Sequence, residues 1–356
     1  MHIGVDVSHL VRNGYVAGPQ RVVLSTIEAL SVLSESNDFI VSAVDLSDAR
    51  QNKINEMVRR YPFLQTARQN LVGVDVFLIF DASNYYASRN LWQQKFRGLV
   101  VSALHDVLPL KYPEWYRLTE RPHYNKEFLF YLSMMNRISD VIITPSHANL
   151  TDIKEFLPTE LLHKVIINPY GTSLATHVVH KNKPLAASRK IVSVNTIEPK
   201  KGQDDILDAF DLLIKENSEW MLYLVGKEGW QSRDAISRIT QHKQFQKKLF
   251  WYSNLDDTEV QKLYSLSGLA LNASRAEGFG LTIEEALSQG LKVVARDIPV
   301  FRERKNRNLY TYSGGGFQLA ESIKKASLEK IHPNEKVRTS YDFARDLLGI
   351  IWRMWE

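Results

Sequence analysis

Short runs rich in β-branched and apolar residues alternate with helix-spaced stretches along this chain, and the alternation starts twice. "HIGVDVSHL" is followed by the loop "GYVAGPQ" and the helical "RVVLSTIEALSVLS". "FIVSAVDL", "VDVFLIF", "GLVVSALHD", "DVIITPS" and "HKVIINPYG" then repeat the strand signal. A polar, basic, proline-bearing stretch, "KNKPLAASRK" at 181–190, breaks the rhythm and reads as a linker. After it come "IVSVNTI", "WMLYLVG", "KLFWYSN", "LALNAS", "LKVVARD" and "NLYTYS", again with helices between them. Strand–helix alternation of this kind folds as a parallel, doubly wound sheet, here in two copies. The 356 residues also exceed what one ordinary core holds. The expected architecture is α/β, with one domain over 1–180 and a second over 186–335. An amphipathic C-terminal helix over 336–356 is expected to cross back to the first domain. Its two tryptophans are expected in a core, with lipid contact as the alternative.

Composition excludes several chemistries. The chain has no cysteine, so disulfides, thiolate catalysis and zinc–cysteine sites are ruled out. A net charge of +5 suits either a solvated basic surface or attraction to anions such as phosphates or an acidic membrane face. No helix-turn-helix, zinc-finger or aromatic RNA-binding pattern occurs, so nucleic acid is not an expected partner. "MHIGVDVSHL" opens on a strand-like run without a signal-peptide pattern, and no apolar run approaches a membrane span. The expected localisation is cytoplasmic, with peripheral contact at the inner membrane face as a further expectation. "NKINEMVRRYPFLQTARQNL" at 52–71 mixes basic and apolar residues and suits lipid contact. Pro62 interrupts it, so an ordinary surface helix and turn is the favoured reading and lipid contact the alternative.

The chemistry concentrates in "AEGFGLTIEEALSQG", 276–290. A strand ends near Ala273 and a helix begins near Leu281, with Gly278 and Gly280 giving the joining backbone room to turn. The helix start offers unpaired N–H groups and partial positive charge, which suit phosphate. Glu277 precedes the turn, and Glu285 follows eight residues later. Carboxylates accept hydrogen bonds from paired hydroxyls, so Glu277 suits the transferred sugar and Glu285 a ribose. The bland alternative is a capping box in "TIEE", with Thr282 as the cap and Glu285 bonding back to it. His105 closes a strand, where open α/β sheets hold ligands, although histidines at such places also serve as structural groups. Lys201 in "PKKG" suits phosphate or plain exposure, with Lys200 the natural candidate for the exposed role. "SGGGFQLAESI" lacks the third glycine of a dinucleotide fingerprint, and no D-x-D stands at a strand end. No metal and no cofactor are expected.

Taken together, these stretches resemble the retaining glycosyltransferases of family 4, which have the GT-B fold of two Rossmann-like domains facing a central cleft. Glu277 and Glu285 match the E-x7-E motif. "VARDIPVFRE" at 294–303 resembles the segment after it in the mannosyltransferase-like branch of bacterial polysaccharide synthesis. "SVNTIEPKKGQDDILDAF" at 193–210 is similar to the phosphate-binding strand–loop–helix, with Lys201 as its lysine. Thr196 stands where many members have arginine. "ALHDVLPLKYPEWY" at 103–116 resembles the His-Asp motif, and "AGPQRVV" at 17–23 the glycine loop, with Gly18 and Arg21.

The resemblance implies a metal-independent transfer of a sugar, mannose-like favoured, with retention at the anomeric carbon. The donor would be a GDP- or UDP-linked sugar, and the acceptor a glycan or lipid-linked oligosaccharide of O-antigen or capsule type. It implies His105, Glu277 and Lys201 in catalysis. Gly18, Arg21, Thr196, Gly278, Phe279, Gly280, Leu281 and Glu285 would bind the donor. A nucleotide-sugar epimerase, a phosphorylase and a non-catalytic binding paralogue share the same implied fold.

Overall fold

The computed structural model describes residues 1–13, 18–47, 67–81, 90–91, 93–116, 123–173, 189–333 and 335–355. By contacts the chain divides into two compact units. The first comprises Met1–Lys111, His123–Gly171 and Arg338–Glu356; the second comprises Tyr112–Pro122 and Thr172–Val337.

The first unit is built on six parallel strands: β1 (His2–Asp6), β2 (Ile40–Val44), β3 (Val76–Ile79), β4 (Leu99–Ala103), β5 (Val141–Thr144) and β6 (Val165–Ile167). Their spatial order is β2-β1-β3-β4-β5-β6. Strands such as β3 and β5 are buried at every position, as a sheet covered on both faces requires. The short helix α1 (Ser8–Asn13) and the long helix α2 (Gly18–Ser34) follow β1.

The second unit repeats the plan with β7 (Lys190–Val194), β8 (Met221–Val225), β9 (Leu249–Tyr252), β10 (Leu269–Asn272), β11 (Lys292–Arg296) and β12 (Leu309–Tyr312). All pairs are parallel, in the order β12-β11-β10-β7-β8-β9. Counted within the unit this is 3-2-1-4-5-6 read from the β9 edge, the Rossmann order. Helices α3 (Gln203–Glu216), α4 (Leu281–Ser288) and α5 (Gly316–Leu328) flank the sheet. Ile206, Phe210 and Leu213 of α3 and Leu319 and Ile323 of α5 bury against Leu222, Leu271 and Val294 of the strands.

The last helix, α6 (Ser340–Trp355), packs on α2 of the first unit. Phe343, Leu347 and Ile351 are its buried face, whereas Trp352 and Trp355 are exposed. The tryptophans therefore do not fill a core: the helix's aliphatic stripe and Phe343 do. Of the expected linker, 181–188 lie outside the described residues, and Lys190 already opens β7. Most of the basic stretch at 52–71 also lies outside them. Arg68, which does not, is spent on the Val72 carbonyl at 2.5 Å. No helix among the described residues is long and apolar enough to cross a membrane.

Candidate functional site

In the second sheet the strand order reverses between β7 and β10, and the loops at the carboxyl ends of those two strands carry Lys201 and Glu277, residues expected to meet phosphate and sugar. Open α/β sheets hold ligands at such a reversal. The loop after β7 tightens into a 3-10 turn, Pro199–Lys201, and passes through Gly202 at φ +66° into α3. A Cβ at Gly202 would lie 2.4 Å from the Ala273 carbonyl oxygen. That close approach brings the loop after β7 against the loop after β10.

The consequence is a lysine–glutamate pair. Lys201 donates to Oε1 of Glu277, and the side chains are each only 12% exposed. Ser274 Oγ donates to the same oxygen at 2.8 Å. Burial works against ionisation of Glu277, yet the charges of Lys201 and Lys200, with the hydrogen bonds from Lys201 and Ser274, hold it below the usual carboxylate range. Glu277 is therefore an anion, with Oε1 tied down twice. Its Oε2 has no protein donor among the described residues, and a carboxylate oxygen so placed accepts a hydroxyl.

Beyond Glu277 the chain turns through Gly280, at φ +89°, straight into α4. A Cβ at Gly280 would sit 2.7 Å from the Phe301 ring. Gly280 itself occupies the N-cap, with no side-chain cap. The capping box expected from "TIEE" is thus absent. The left-handed glycine starts the helix early, so Thr282 falls inside the first turn, where its hydroxyl accepts from Asn272 at 3.1 Å. Glu285 is buried inside α4. Its neighbour Glu284 takes the structural role, pairing with Arg304 at 2.7 Å. Arg304 also donates to the Phe279 carbonyl at 2.7 Å and lies over the Phe279 ring, which fixes the loop before the helix.

Lys200 is not the exposed lysine expected from the sequence. Its side chain is 13% exposed and 3.6 Å from Glu198, donates to the Tyr116 hydroxyl, and lies over the Tyr116 and Trp230 rings. Thr196 donates to the same Glu198 carboxylate at 3.2 Å. Two arginines that sequence reasoning passed over brace the loops. Arg275 reaches the Pro199 carbonyl, Asp204 and Asp205, and Arg296 reaches Asp205 and the carbonyls of Ala273 and Gly314. These arginines sit among carboxylates and carbonyls, so their charge is consumed by the scaffold.

Three expected residues belong to the first unit. Gly18 begins α2 and Arg21 lies one turn on; a Cβ at Gly18 would meet nothing. His105 follows β4. Its Nε2 is 2.7 Å from the Phe80 carbonyl oxygen, and its Nδ1 is 2.7 Å from the Tyr170 hydroxyl. A carbonyl only accepts, so Nε2 carries the proton and Nδ1 accepts from Tyr170. Burial lowers the His105 pKa, against the Phe80 bond and the charges of Asp81 and Asp106. Burial likewise raises the Tyr170 pKa well above its ordinary value, so the phenol keeps its proton. His105 is a neutral ring with both nitrogens bonded inside its own unit.

Residues 179–330 match the model of the family described as glycosyl transferases group 1. That match lies within the second unit. The chain is similar, at 29% identity over 340 residues, to the serotype-specific mannosyltransferase WbdA of Escherichia coli. That match covers 87% of this chain and 39% of the relative, so the chain spans about two fifths of the length of that relative. It is also 24% identical over 229 residues to an Escherichia coli O-antigen chain mannosyltransferase B, covering 62% of this chain and 57% of that one. Among solved structures, sucrose-phosphate synthase of Thermosynechococcus elongatus aligns with TM-score 0.69 and 14% identity over 99% of both chains. Anabaena Alr3699/HepE, solved in complex with UDP and glucose, aligns at 0.63 and 16% over 99% of this chain and 98% of that one. The fold is GT-B.

Proposed function

We propose that the chain is a retaining, metal-independent glycosyltransferase that moves a sugar, mannose-like favoured, from a nucleotide diphosphate sugar to a glycan or lipid-linked acceptor of surface polysaccharide. One observation carries the reading: the Lys201–Glu277–Ser274 group at the strand reversal, beside the start of α4. Lys201 keeps further N–H donors beyond the one given to Glu277, and the first amides of α4 add partial positive charge. Charge grows on the diphosphate as the sugar leaves, and groups already fixed in place stabilise it without reorganising. Oε2 of Glu277 receives a hydroxyl of the transferred sugar, and Glu285 the ribose. The acceptor hydroxyl attacks from the face the diphosphate leaves, and the diphosphate takes its proton.

The names of the relatives support a mannose-like sugar and an O-antigen-type glycan acceptor. The solved complexes of the Anabaena neighbour support a nucleotide sugar donor. The base, GDP or UDP, belongs to the same proposal, as does action at the cytoplasmic membrane face, which the net charge of +5 favours. Thermal-shift screening of GDP- and UDP-linked sugars tests the donor, since a ligand at 100 times its Kd stabilises by about 2.7 kcal/mol. NMR coupling at the new anomeric proton tests retention: an alpha donor gives an alpha product. A beta product, or activity lost to EDTA and restored by magnesium, overturns the mechanism.

A further inference from the structure

Arg304 stands just after the helical turn Pro299–Arg302 and reaches back to the start of α4. Its Nε donates to Glu284 of α4 at 2.7 Å, and the two side chains are 9% and 10% exposed. Its Nη1 donates to the Val300 carbonyl at 3.0 Å. Its Nη2 donates to the Phe279 carbonyl at 2.7 Å and lies 3.4 Å from the Gly280 carbonyl oxygen. The guanidinium carbon is 4.6 Å from the centre of the Phe279 ring and 5.5 Å from that of Phe301, the ring that also meets Gly280. The guanidinium is a covered hub: each of its three nitrogens has a protein acceptor.

The two loop carbonyls decide where the other ends of their peptides point. The peptides of the described residues are all trans, and in a trans peptide C=O and N–H point in opposite directions. Holding the Phe279 carbonyl therefore aims the Gly280 N–H away from Arg304. The Gly280 carbonyl, which also accepts from the Ile283 N–H at 3.1 Å, does the same for the Leu281 N–H. Among the described residues neither N–H donates within the protein. Arg275 and Arg296 brace loops too, but the carbonyls they hold are those of Pro199, Ala273 and Gly314.

We infer that Arg304 is a positioning residue for the donor diphosphate: it fixes the Phe279–Gly280 and Gly280–Leu281 peptides so that their N–H groups face the phosphate oxygens. The inference deepens the transferase reading and rests on it for the identity of the ligand. Positive charge alone does not perform this task, because Glu284 offsets it. The planar fork holds Glu284, Val300 and Phe279 in set directions, which an ammonium does not. N–H groups fixed in advance then stabilise the charge that grows on the leaving diphosphate.

Phe279–Gly280 is the sole place in the sequence where glycine follows phenylalanine. Isotope labels on phenylalanine carbonyls and glycine nitrogens therefore give one carbonyl-coupled amide signal, from the peptide in question. Pyrophosphate, GDP and UDP are titrated into the wild type, Arg304→Lys and the double variant Arg304→Met/Glu284→Gln, which leaves no unpaired buried charge behind. Urea curves show that the titrated proteins are folded. In the wild type the Gly280 amide shifts on addition of pyrophosphate and of the nucleotide that binds. In both variants the carbonyl signal of the free protein moves, and phosphate affinity read at the same amide falls about tenfold. A merely structural arginine would change the folded fraction and leave the affinity of the folded molecules as it was. A wild-type amide indifferent to pyrophosphate, or an Arg304→Lys or double variant that binds it as the wild type does, overturns the assignment. A wild type that turns over no nucleotide sugar overturns the transferase reading instead, and the pyrophosphate titration still decides for Arg304.

Discussion

The two strand reversals use opposite chemistry. In the second unit, a lysine and a glutamate meet because glycine lets two loops touch, and the result is fixed charge beside a helix start. In the first unit, His9 meets the buried Asp81 carboxylate across the reversal between β1 and β3, 72 residues apart in sequence, and Gln20 donates to the same oxygen. The same topology therefore gathers a lysine–glutamate pair at one reversal and a histidine–carboxylate pair at the other. Topology selects the place; the side chains at the strand ends set its charge.

The sharpest break in this contrast is Lys201→Ala. It removes the cation and strips Glu277 of its principal partner. A charge-assisted contact is worth about 1.5–3 kcal/mol, so donor turnover should fall about 10–100-fold. Steady-state rates with the donor found by screening check it. Lys200→Ala is no surface control, because that side chain is largely covered, beside Glu198 and two rings. It should cost stability as well as rate. A Lys201 variant with unchanged turnover would mean that the pair is scaffold only.

Gly280→Ala attacks the geometry instead of the charge. The left-handed φ and the 2.7 Å approach to Phe301 both oppose a Cβ. Overpacking of this kind costs about 1–3 kcal/mol, read as a lower urea midpoint with unchanged m. Gly18→Ala, at the helix start of the first unit, meets no atom and should leave the midpoint near the wild-type value.

Glu285→Ala separates the ligand role from the cap that "TIEE" suggests. No capping box depends on it, because Gly280 caps the helix without a side chain. The expected result is weaker nucleotide binding by calorimetry, on the order of tenfold for a lost hydroxyl contact of about 1.5 kcal/mol. Unchanged affinity would remove Glu285 from the donor site.

Much of the scaffold was legible because buried parallel strands write themselves as short apolar runs. All six strands of each sheet fall where such runs occur. The start of α4 at Leu281 was legible too, from the glycines. What misled was local reading of groups whose partners are distant. Lys200 looks exposed in "PKKG" because nothing nearby announces Tyr116 or Trp230. "TIEE" looks like a cap because nothing in it reveals the left-handed backbone at Gly280. His9–Asp81 and the Arg275–Asp204–Asp205 brace join residues far apart in sequence and carry no periodic signal at all.

The smallest expected effect separates the two units by pH. The His105 pKa is lowered, chiefly by burial, from an ordinary value of 6.5. Above about pH 6.5 the ring is neutral in folded and unfolded chains and contributes no pH dependence. As the pH falls below that value the unfolded chain takes up a proton that the folded chain resists, so stability declines until the folded pKa is passed. Glu277 follows a lower window. Its pKa is held beneath an ordinary value of 4.5, so its stabilisation is present above that value and is lost as the pH falls through the folded pKa. Unfolding midpoints measured from pH 8 down to about pH 2 should therefore differ between variants. His105→Gln flattens the decline just under pH 6.5 and leaves the lower limb unchanged. Glu277→Gln lowers stability near neutrality and flattens only the lower limb. A His105→Gln profile parallel to the wild type throughout would mean that His105 is free to protonate, and the closed hydrogen-bond pattern with Phe80 and Tyr170 would not hold in solution.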